Sequence, residues 1–316
     1  MSGMPRFIEP ELCKVVAEPP AGRSWLHETK FDGYRIQLRV EDGRAALRTR
    51  KGLDWTAKFP EIAKAAGKLP DCICDGEICA MGKKRVSDFA ALQHALSEER
   101  TGKLVYHLFD VMNLDGRDLT EAPLTERKKA LKAMLSKRAA ARLRYVADSR
   151  KDGKTLLKHA CARHEEGVIS KRADSPYRGG RGGDWTKAKC RGGQEVVIGG
   201  WSADGARLRS LLVGEFRRGK LIYAGRVGTG FNARNTPGLM KKLRAHARKT
   251  QPFAARPDLP GTLDIHWVEP KLVAEVEFET VTAAGLLRQA AFKGLREDKP
   301  ANAVVREPQP TAERRA

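Results

Sequence analysis

A lysine between two acids, at the end of an apolar alternation, is the first place in this chain where chemistry can start. The stretch Trp25-Leu-His-Glu-Thr-Lys-Phe-Asp-Gly-Tyr-Arg35 puts Glu28 and Lys30 on one face of a strand, because strand side chains alternate with period two. Asp32-Gly33 ends that strand in a turn, and Arg35 opens the next alternation through Ile36, Leu38 and Val40. An amine attacks only when neutral, and the ordinary lysine pKa lies near 10.4. Burial and neighbouring cations both lower it. Cations stand at several predicted strand ends (Arg35, Arg50, Lys171, Lys187, Lys189), and two acids, Glu77 and Glu166, at others. Gathered around one pocket, the cations would depress the pKa of Lys30 and bind a polyphosphate, and the acids would hold a hard divalent cation, Mg2+ or Mn2+. Singly, each has a plainer role. Lys30 with its acids is an ion pair on a sheet edge, Phe109 a core aromatic, Asp75-Gly76 a turn, Glu166 an ion-pair partner. Lys187 with Lys189, and Arg296 to Lys299, are solvated charges.

The elements that must position these groups follow from pattern. Asp42-Gly43 has hairpin-turn chemistry between the alternation ending at Val40 and a return strand over Ala45–Arg50. Phe59–Ala66 predicts a helix, and Cys72–Ala80 a strand interrupted by a tight turn at Asp75-Gly76. Ser87 is placed to cap a helix over Asp88–Leu96, and Leu104–Met112 is an apolar strand ahead of the Asn113–Gly116 turn. Thr125 is placed as N-cap of a helix reaching Leu135, and a further helix spans about Asp152 to Glu166. Gly167–Arg172 and Trp185–Lys189 are strands around a Gly/Arg-rich loop.

The texture changes at Arg191-Gly-Gly193. Short strands then follow closely, Glu195–Trp201, Leu211–Phe216, Leu221–Val227 and Val273–Phe278, with a helix over about Thr236 to Arg248. That pattern predicts a small barrel of the OB type. The expected organisation is α+β, with a first domain over 1–191, a barrel domain over 192–304 and a disordered tail over 305–316.

Composition bounds the rest. Sixty Lys and Arg against 39 Asp and Glu leave a net charge of +21, spread along the chain, which favours a polyanionic partner and nucleic acid first. No apolar run approaches the roughly 20 residues of a membrane span. The first residues lack the apolar core of a secretory signal, so the cytoplasm is the expected address, in association with the nucleoid. Six cysteines form no C-x-x-C pair and no zinc-ligand set; they are expected as reduced, packed thiols.

Taken together in this order, Lys30-Phe-Asp-Gly-Tyr-Arg35, Thr49-Arg-Lys-Gly52, Asp75-Gly-Glu-Ile78, Phe109-Asp110, Glu166-Gly-Val-Ile-Ser-Lys171 and Trp185-Thr-Lys-Ala-Lys189 resemble the nucleotidyltransferase signature of ATP-dependent DNA ligases. The likeness is strongest to the ligase domain of the bacterial end-joining (ligase D) type and covers about residues 7 to 306. It implies a nucleotidyltransferase domain, ATP-grasp-like and built on antiparallel sheets, followed by an OB-fold domain that rotates between steps. It implies that Lys30 forms a covalent lysine–AMP adduct with ATP as co-substrate. Glu28 would recognise adenine through its backbone neighbourhood, Phe109 would stack on the base, and Arg35 and Arg50 would hold the ribose and phosphate side. Glu77 would bind ribose or metal, Glu166 metal, Lys171 the phosphate, and Lys187 and Lys189 the α-phosphate. Phe292-Lys-Gly-Leu-Arg-Glu-Asp-Lys-Pro300 resembles the family's last motif, so Arg296 and Lys299 would orient the leaving pyrophosphate; Ala290 stands where many relatives carry proline. The partners implied are nicked or broken duplex DNA and a Ku-type end-binding protein, with a monomer as the default state. Polymerase and phosphoesterase segments are absent, so a free-standing ligase or an excised ligase domain is expected. The alternatives are another covalent nucleotidyltransferase (an RNA ligase or a capping guanylyltransferase) and a non-catalytic DNA-binding factor that kept the fold.

Overall fold

The computed structural model describes residues 4–82, 85–137, 142–205, 207–282 and 284–306. The tail expected to be disordered lies, from residue 307, outside them. The chain divides between Cys190 and Arg191 into two units. Among the described residues, no helix is long and apolar enough to cross a membrane.

In chain order the first unit runs β1 (Lys14–Val15), β2 (Trp25–Lys30), β3 (Tyr34–Glu41), β4 (Arg44–Thr49), α1 (Pro60–Ala66), β5 (Cys72–Cys79), α2 (Phe89–Ser97) and β6 (Val105–Leu114). It continues with β7 (Arg117–Asp118), α3 (Leu124–Lys137), β8 (Leu143–Tyr145), α4 (Gly153–Ala162), β9 (Gly167–Arg172) and β10 (Trp185–Lys189). Strands β4-β3-β5-β6-β7 form one sheet, with β8 parallel to β6, and β1-β10-β9-β2 form a second. Alternation decides what each face buries. Tyr34, Ile36, Leu38 and Val40 of β3 join Phe59, Leu92 and Leu131 in the main core. Ile73, Met112, Tyr177 and Trp185 build a smaller core that ties one sheet to the other.

Three local expectations are corrected. β5 runs through Asp75-Gly76 without a turn: its register against β6 shifts there, and a Cβ on Gly76 would lie 2.5 Å from the Tyr106 ring and 2.6 Å from the His107 carbonyl. Close strand approach, not a turn, requires that glycine. Asp88, not Ser87, caps α2, accepting from the Ala91 N–H at 2.9 Å, while the Ser87 hydroxyl accepts from the Asp32 N–H at 2.9 Å and braces the turn after Lys30. Thr125 lies inside α3, whose first residue is Leu124.

Cysteine is the fourth correction. Cys161 and Cys190 form a disulfide, while Cys13, Cys72, Cys74 and Cys79 are free thiols. No C-x-x-C spacing announces this pair, because α4 and the end of β10 meet only in the fold.

The second unit opens on β11 (Gly192–Asp204), β12 (Arg207–Arg217) and β13 (Lys220–Val227), continues through α5 (Thr236–Ala245), β14 (Ala247–Arg248), β15 (Asp264–Val268) and β16 (Val273–Phe278), and ends with β17 (Thr280–Val281), β18 (Leu287–Arg288) and β19 (Ala291–Leu295). β11 changes partner along its length: Gly192–Val197 pair with β16 and Gly200–Ala203 with β15. The register shift at Ile198/Gly200 makes that bend, and a Cβ on Gly199 would strike the Phe253 ring at 2.5 Å. β16 pairs with β19, and a bridge from Ala291 to Thr229 returns the sheet toward the end of β13. Leu239, Met240 and Leu243 of α5 pack on the barrel core. This is the expected OB-type barrel, with β14, β15, β17, β18 and β19 as strands not anticipated.

Cys161 and Cys190 stand 29 positions apart in sequence, a span that includes β9 and β10. A cross-link closing such a loop contributes on the order of 3 kcal/mol. Dithiothreitol, or C161S/C190S, is therefore expected to lower the first unit's free energy of unfolding by about that amount, read as a lower denaturation midpoint; an unchanged midpoint would mean that the two sulfurs are unlinked in solution.

Candidate active site

The register of β2, β9 and β10 lines up three rungs on one sheet face. Leu26, Lys171 and Trp185 share the first, Glu28, Ile169 and Lys187 the second, and Lys30, Gly167 and Lys189 the third. Alternate residues share a face, so one sheet presents Glu28, Lys30, Lys171, Lys187 and Lys189 together. Gly167 leaves the third rung without a central side chain. Its φ is +151°, and a Cβ there would lie 2.1 Å from the Ala188 carbonyl. The turn after Lys30 is as tight, since a Cβ on Gly33 would meet the Ile78 carbonyl at 2.3 Å. Two glycines thus bring β9 against β10 and the Lys30 turn against β5, the strand that carries Glu77.

Glu166, just before Gly167, reaches over this gap. Its Oε1 lies 2.5 Å from Lys30 Nζ, with the two side chains only 19% and 17% exposed. Burial pulls the Lys30 ammonium toward neutrality, but Glu166 pushes harder the other way, and Asp32 and Glu77 add to it; the pKa ends well above the ordinary lysine value. Burial acts against the Glu166 carboxylate, yet Lys30, Lys189 and Lys187 hold it below the usual range. Lys30, Glu77, Glu166, Lys187 and Lys189 therefore come together, with Asp32 beside them where only a turn was expected, but Lys30 is not depressed. It is a salt-bridged ammonium, because a carboxylate in contact outweighs cations farther off.

Lys171 and Arg35 depart from their expected places. Lys171, almost fully buried, pairs with Glu28 Oε2 at 2.7 Å and lies 4.2 Å from the Phe109 ring centre and 4.0 Å from that of Trp185. Its rung stands roughly 13 Å along the strands from that of Lys30. Arg35 spans the buried Asp75 carboxylate, with Nε at 3.1 Å and Nη2 at 2.5 Å, and donates to the Glu11 carbonyl at 2.6 Å. The Tyr177 hydroxyl donates to the same carboxylate at 2.7 Å. Phe109 sits edge-on to Trp185 with Arg35 and Lys171 at its ring. Arg50 lies in the turn after β4, at the edge of its sheet. Arg296 and Lys299 belong to the second unit, where Arg296 pairs with Asp298 and Glu275, and Lys299 with Glu195.

Sequence reasoning missed several residues of the site. His107 faces Glu77 across β5 and β6 and stacks on Phe31, ring centres 4.0 Å apart. Burial, with help from Arg144, pulls its pKa down to about 4. Arg127 and Lys128 of α3 reach Asp110 and Glu28. One signal could have found the last two: they occupy core-facing positions between Leu124 and Leu131 where apolar side chains are due.

The model of the ATP dependent DNA ligase domain matches residues 11–189, and that of the ATP dependent DNA ligase C terminal region matches residues 204–299. This chain belongs to the ATP-dependent DNA ligase family. It is 40% identical over 312 residues to the multifunctional non-homologous end joining protein LigD of Pseudomonas aeruginosa, and 37% identical over 292 residues to the LigD of Mycobacterium tuberculosis. Those alignments take in 96% and 90% of this chain but 37% of each relative, so the chain spans little more than a third of their length. The solved structure of mycobacterial DNA ligase D complexed with ATP and MES superposes with a TM-score of 0.70 at 34% identity, covering 94% of this chain and 98% of that one. The ligase fold, a nucleotidyltransferase unit followed by an OB barrel, is thus shared from end to end of the match.

In this ligase-family site the raised Lys30 pKa fixes a sign. The pair contributes stability below the ordinary lysine pKa and loses it only as pH rises through the higher folded value. Glu166→Gln removes the strongest counter-charge and leaves burial against the weaker pull of Asp32 and Glu77, so Lys30 should fall. Its modification by an amine-directed reagent at pH 8, in protein free of metal and nucleotide, is expected to speed up at least about tenfold, the equivalent of one pKa unit. Equal rates in parent and variant would show that Glu166 does not hold the ammonium.

Proposed function

We propose that this chain seals breaks in duplex DNA with ATP, through an adenylyl group carried on Lys30. The observation that carries the reading is the rung of Lys30, Gly167 and Lys189 with Glu166 laid over it: a nucleophile, a glycine gap and paired cations at one strand end. The Lys30 amine, once released from Glu166 and deprotonated, attacks the α-phosphorus; a P–N bond forms and the P–O bond to the β-phosphate breaks, its electron pair leaving with pyrophosphate. Lys187 and Lys189 neutralise the oxygens of the α-phosphate, where charge builds. AMP then passes to a 5′-phosphate at the break, and a 3′-hydroxyl displaces it to close the strand. Arg296 and Lys299 can guide the pyrophosphate only by giving up Asp298, Glu275 and Glu195.

The donor set fits a hard divalent cation. Glu166 Oε2 is buried without a hydrogen-bond partner among the described residues, and Glu77 is near enough to act on the same lysine. Among the described residues no group of three or more acidic, histidine or cysteine side chains is placed to hold a metal ion by itself, so the protein would supply Glu166 and Glu77, and phosphate and water the remaining oxygens. Such a cation would neutralise phosphate charge, and the choice between Mg2+ and Mn2+ rests with those outer oxygens. Participation in end joining rests on the names of relatives longer than this chain; a Ku-type partner rests on the family resemblance alone, and a place at the nucleoid on the net charge of +21.

Incubation with α-labelled ATP and a divalent cation is expected to leave heat-stable label on the protein, chased onto nicked DNA. Lys30→Ala should abolish it, and Glu166→Gln should slow it by roughly 10²- to 10³-fold. Label on the Lys30→Ala protein would remove Lys30 as nucleophile, and label from GTP but not ATP would favour a capping-type transferase. No label, even after pyrophosphate strips any AMP already bound, would favour the DNA-binding alternative.

A further inference from the structure

Two consecutive basic residues of α3 have a place in the fold that the reaction above leaves unassigned. Arg127 and Lys128 are 0% and 3% exposed. Buried cations persist only with a full set of partners. Arg127 spans Asp110 with Nε at 2.8 Å and Nη2 at 2.9 Å, and its Nη1 donates to the carbonyls of Ala122 and Ser175. Asp110 follows Phe109 on β6. Lys128 pairs with Glu28 Oε1, donates to the Val146 carbonyl at 3.0 Å and stands 3.5 Å from Asp148. The other oxygen of Glu28 holds Lys171, which lies over the rings of Phe109 and Trp185. A single turn of α3 therefore grips both sheets, one through the strand of Phe109 and the other through the strand of Lys30.

We propose that Lys128 is a positioning residue for the nucleotide: acting through Glu28 and Lys171, it fixes the Phe109–Trp185 aromatic pair, while Arg127 fixes the backbone beside Phe109, the ring on which the base would stack. The inference rests on the nucleotidyl-transfer reading. Without Lys128, one oxygen of Glu28 loses its partner in a nearly dry site, so Glu28 turns toward another donor and Lys171 follows it off the rings. Lys30 and Glu166 lie on the next rung with partners of their own, so the chemical step at saturating ATP is spared.

ATP affinity is read without turnover, from quenching of tryptophan fluorescence by ATP in EDTA, beside the ATP dependence of label transfer to the protein. K128M is expected to raise both Kd and KM about tenfold while the maximal rate stays within about threefold of the parent. E28Q/K128M, which removes the stranded charge, is expected to lose no more than K128M alone, as residues acting through one network do. Thermal unfolding reports whether each variant folds; should K128M fail to fold, E28Q/K128M against E28Q makes the same comparison. Unchanged Kd and KM, a maximal rate that falls as far as affinity does, or losses that add in the double variant would each overturn the positioning role. A parent protein that takes no label would overturn the nucleotidyl-transfer reading instead.

Discussion

A buried lysine has to be kept charged and in place until a substrate makes neutrality useful, and the first unit is built around that constraint. Taking an ammonium out of water costs several kcal/mol, so an unpaired Lys30 would either lose its proton or leave its rung. Glu166 prevents both at 2.5 Å, and it can do so only because Gly167 leaves room in the ladder. The same pair makes Lys30 unreactive at rest. On the proposed reaction, a nucleophile released from its counter-ion only in the presence of other charges would be coupled to substrate, because whatever draws Glu166 away also brings the phosphorus.

Around that rung, three buried carboxylates each have a cation of their own. Asp75 takes Arg35, Asp110 takes Arg127, and Glu28 takes Lys128 and Lys171. These pairs contribute little to net stability, since desolvation offsets most of the Coulomb gain. What they supply is geometry: every one joins different strands, a strand to a helix, or one sheet to the other, and removing either partner strands a charge. The sheets are thus fastened by directional bonds on the face where a nucleotide would lie, while undirected apolar packing fills the opposite face of the larger sheet. That division suits a site whose groups must hold position against a highly charged ligand.

The legible part of this chain was the part written in local pattern. Period-two alternation located β2, β3, β9 and β10, and with them the shared face of Glu28 and Lys30; Asp42-Gly43, both at positive φ, made the expected hairpin. The change of texture after Arg191 located the barrel. What escaped depended on contacts between distant segments. Gly76 resembles a turn until the Tyr106 ring is seen against it, and Ser87 a cap until the Asp32 N–H claims its hydroxyl. Cys161 finds Cys190 through the fold alone. The resting charge of Lys30 was the instructive miss. Cations gathered by sequence predict a lowered pKa, but one carboxylate in contact reverses the sign, and distance in space is what sequence does not carry.

Two lysines on one sheet face show why such a site is recognised by geometry before pKa. Burial, with Lys128 beside it, pulls Lys171 down against the hold of Glu28, whereas Lys30 ends above its ordinary value. Judged by ease of deprotonation at rest, Lys171 is the better nucleophile. Yet its ammonium is closed in by two aromatic rings and the Glu28 carboxylate, which leaves no room for a phosphorus with its oxygens. Lys30 stands at a strand end beside a glycine gap, with Lys187 and Lys189 near the carboxylate that holds it. A transferable group can enter there, and its own charge competes for Glu166. Access and exchange of partners favour Lys30 as the proposed nucleophile, and the contact with Glu166 is what an entering phosphate would have to replace.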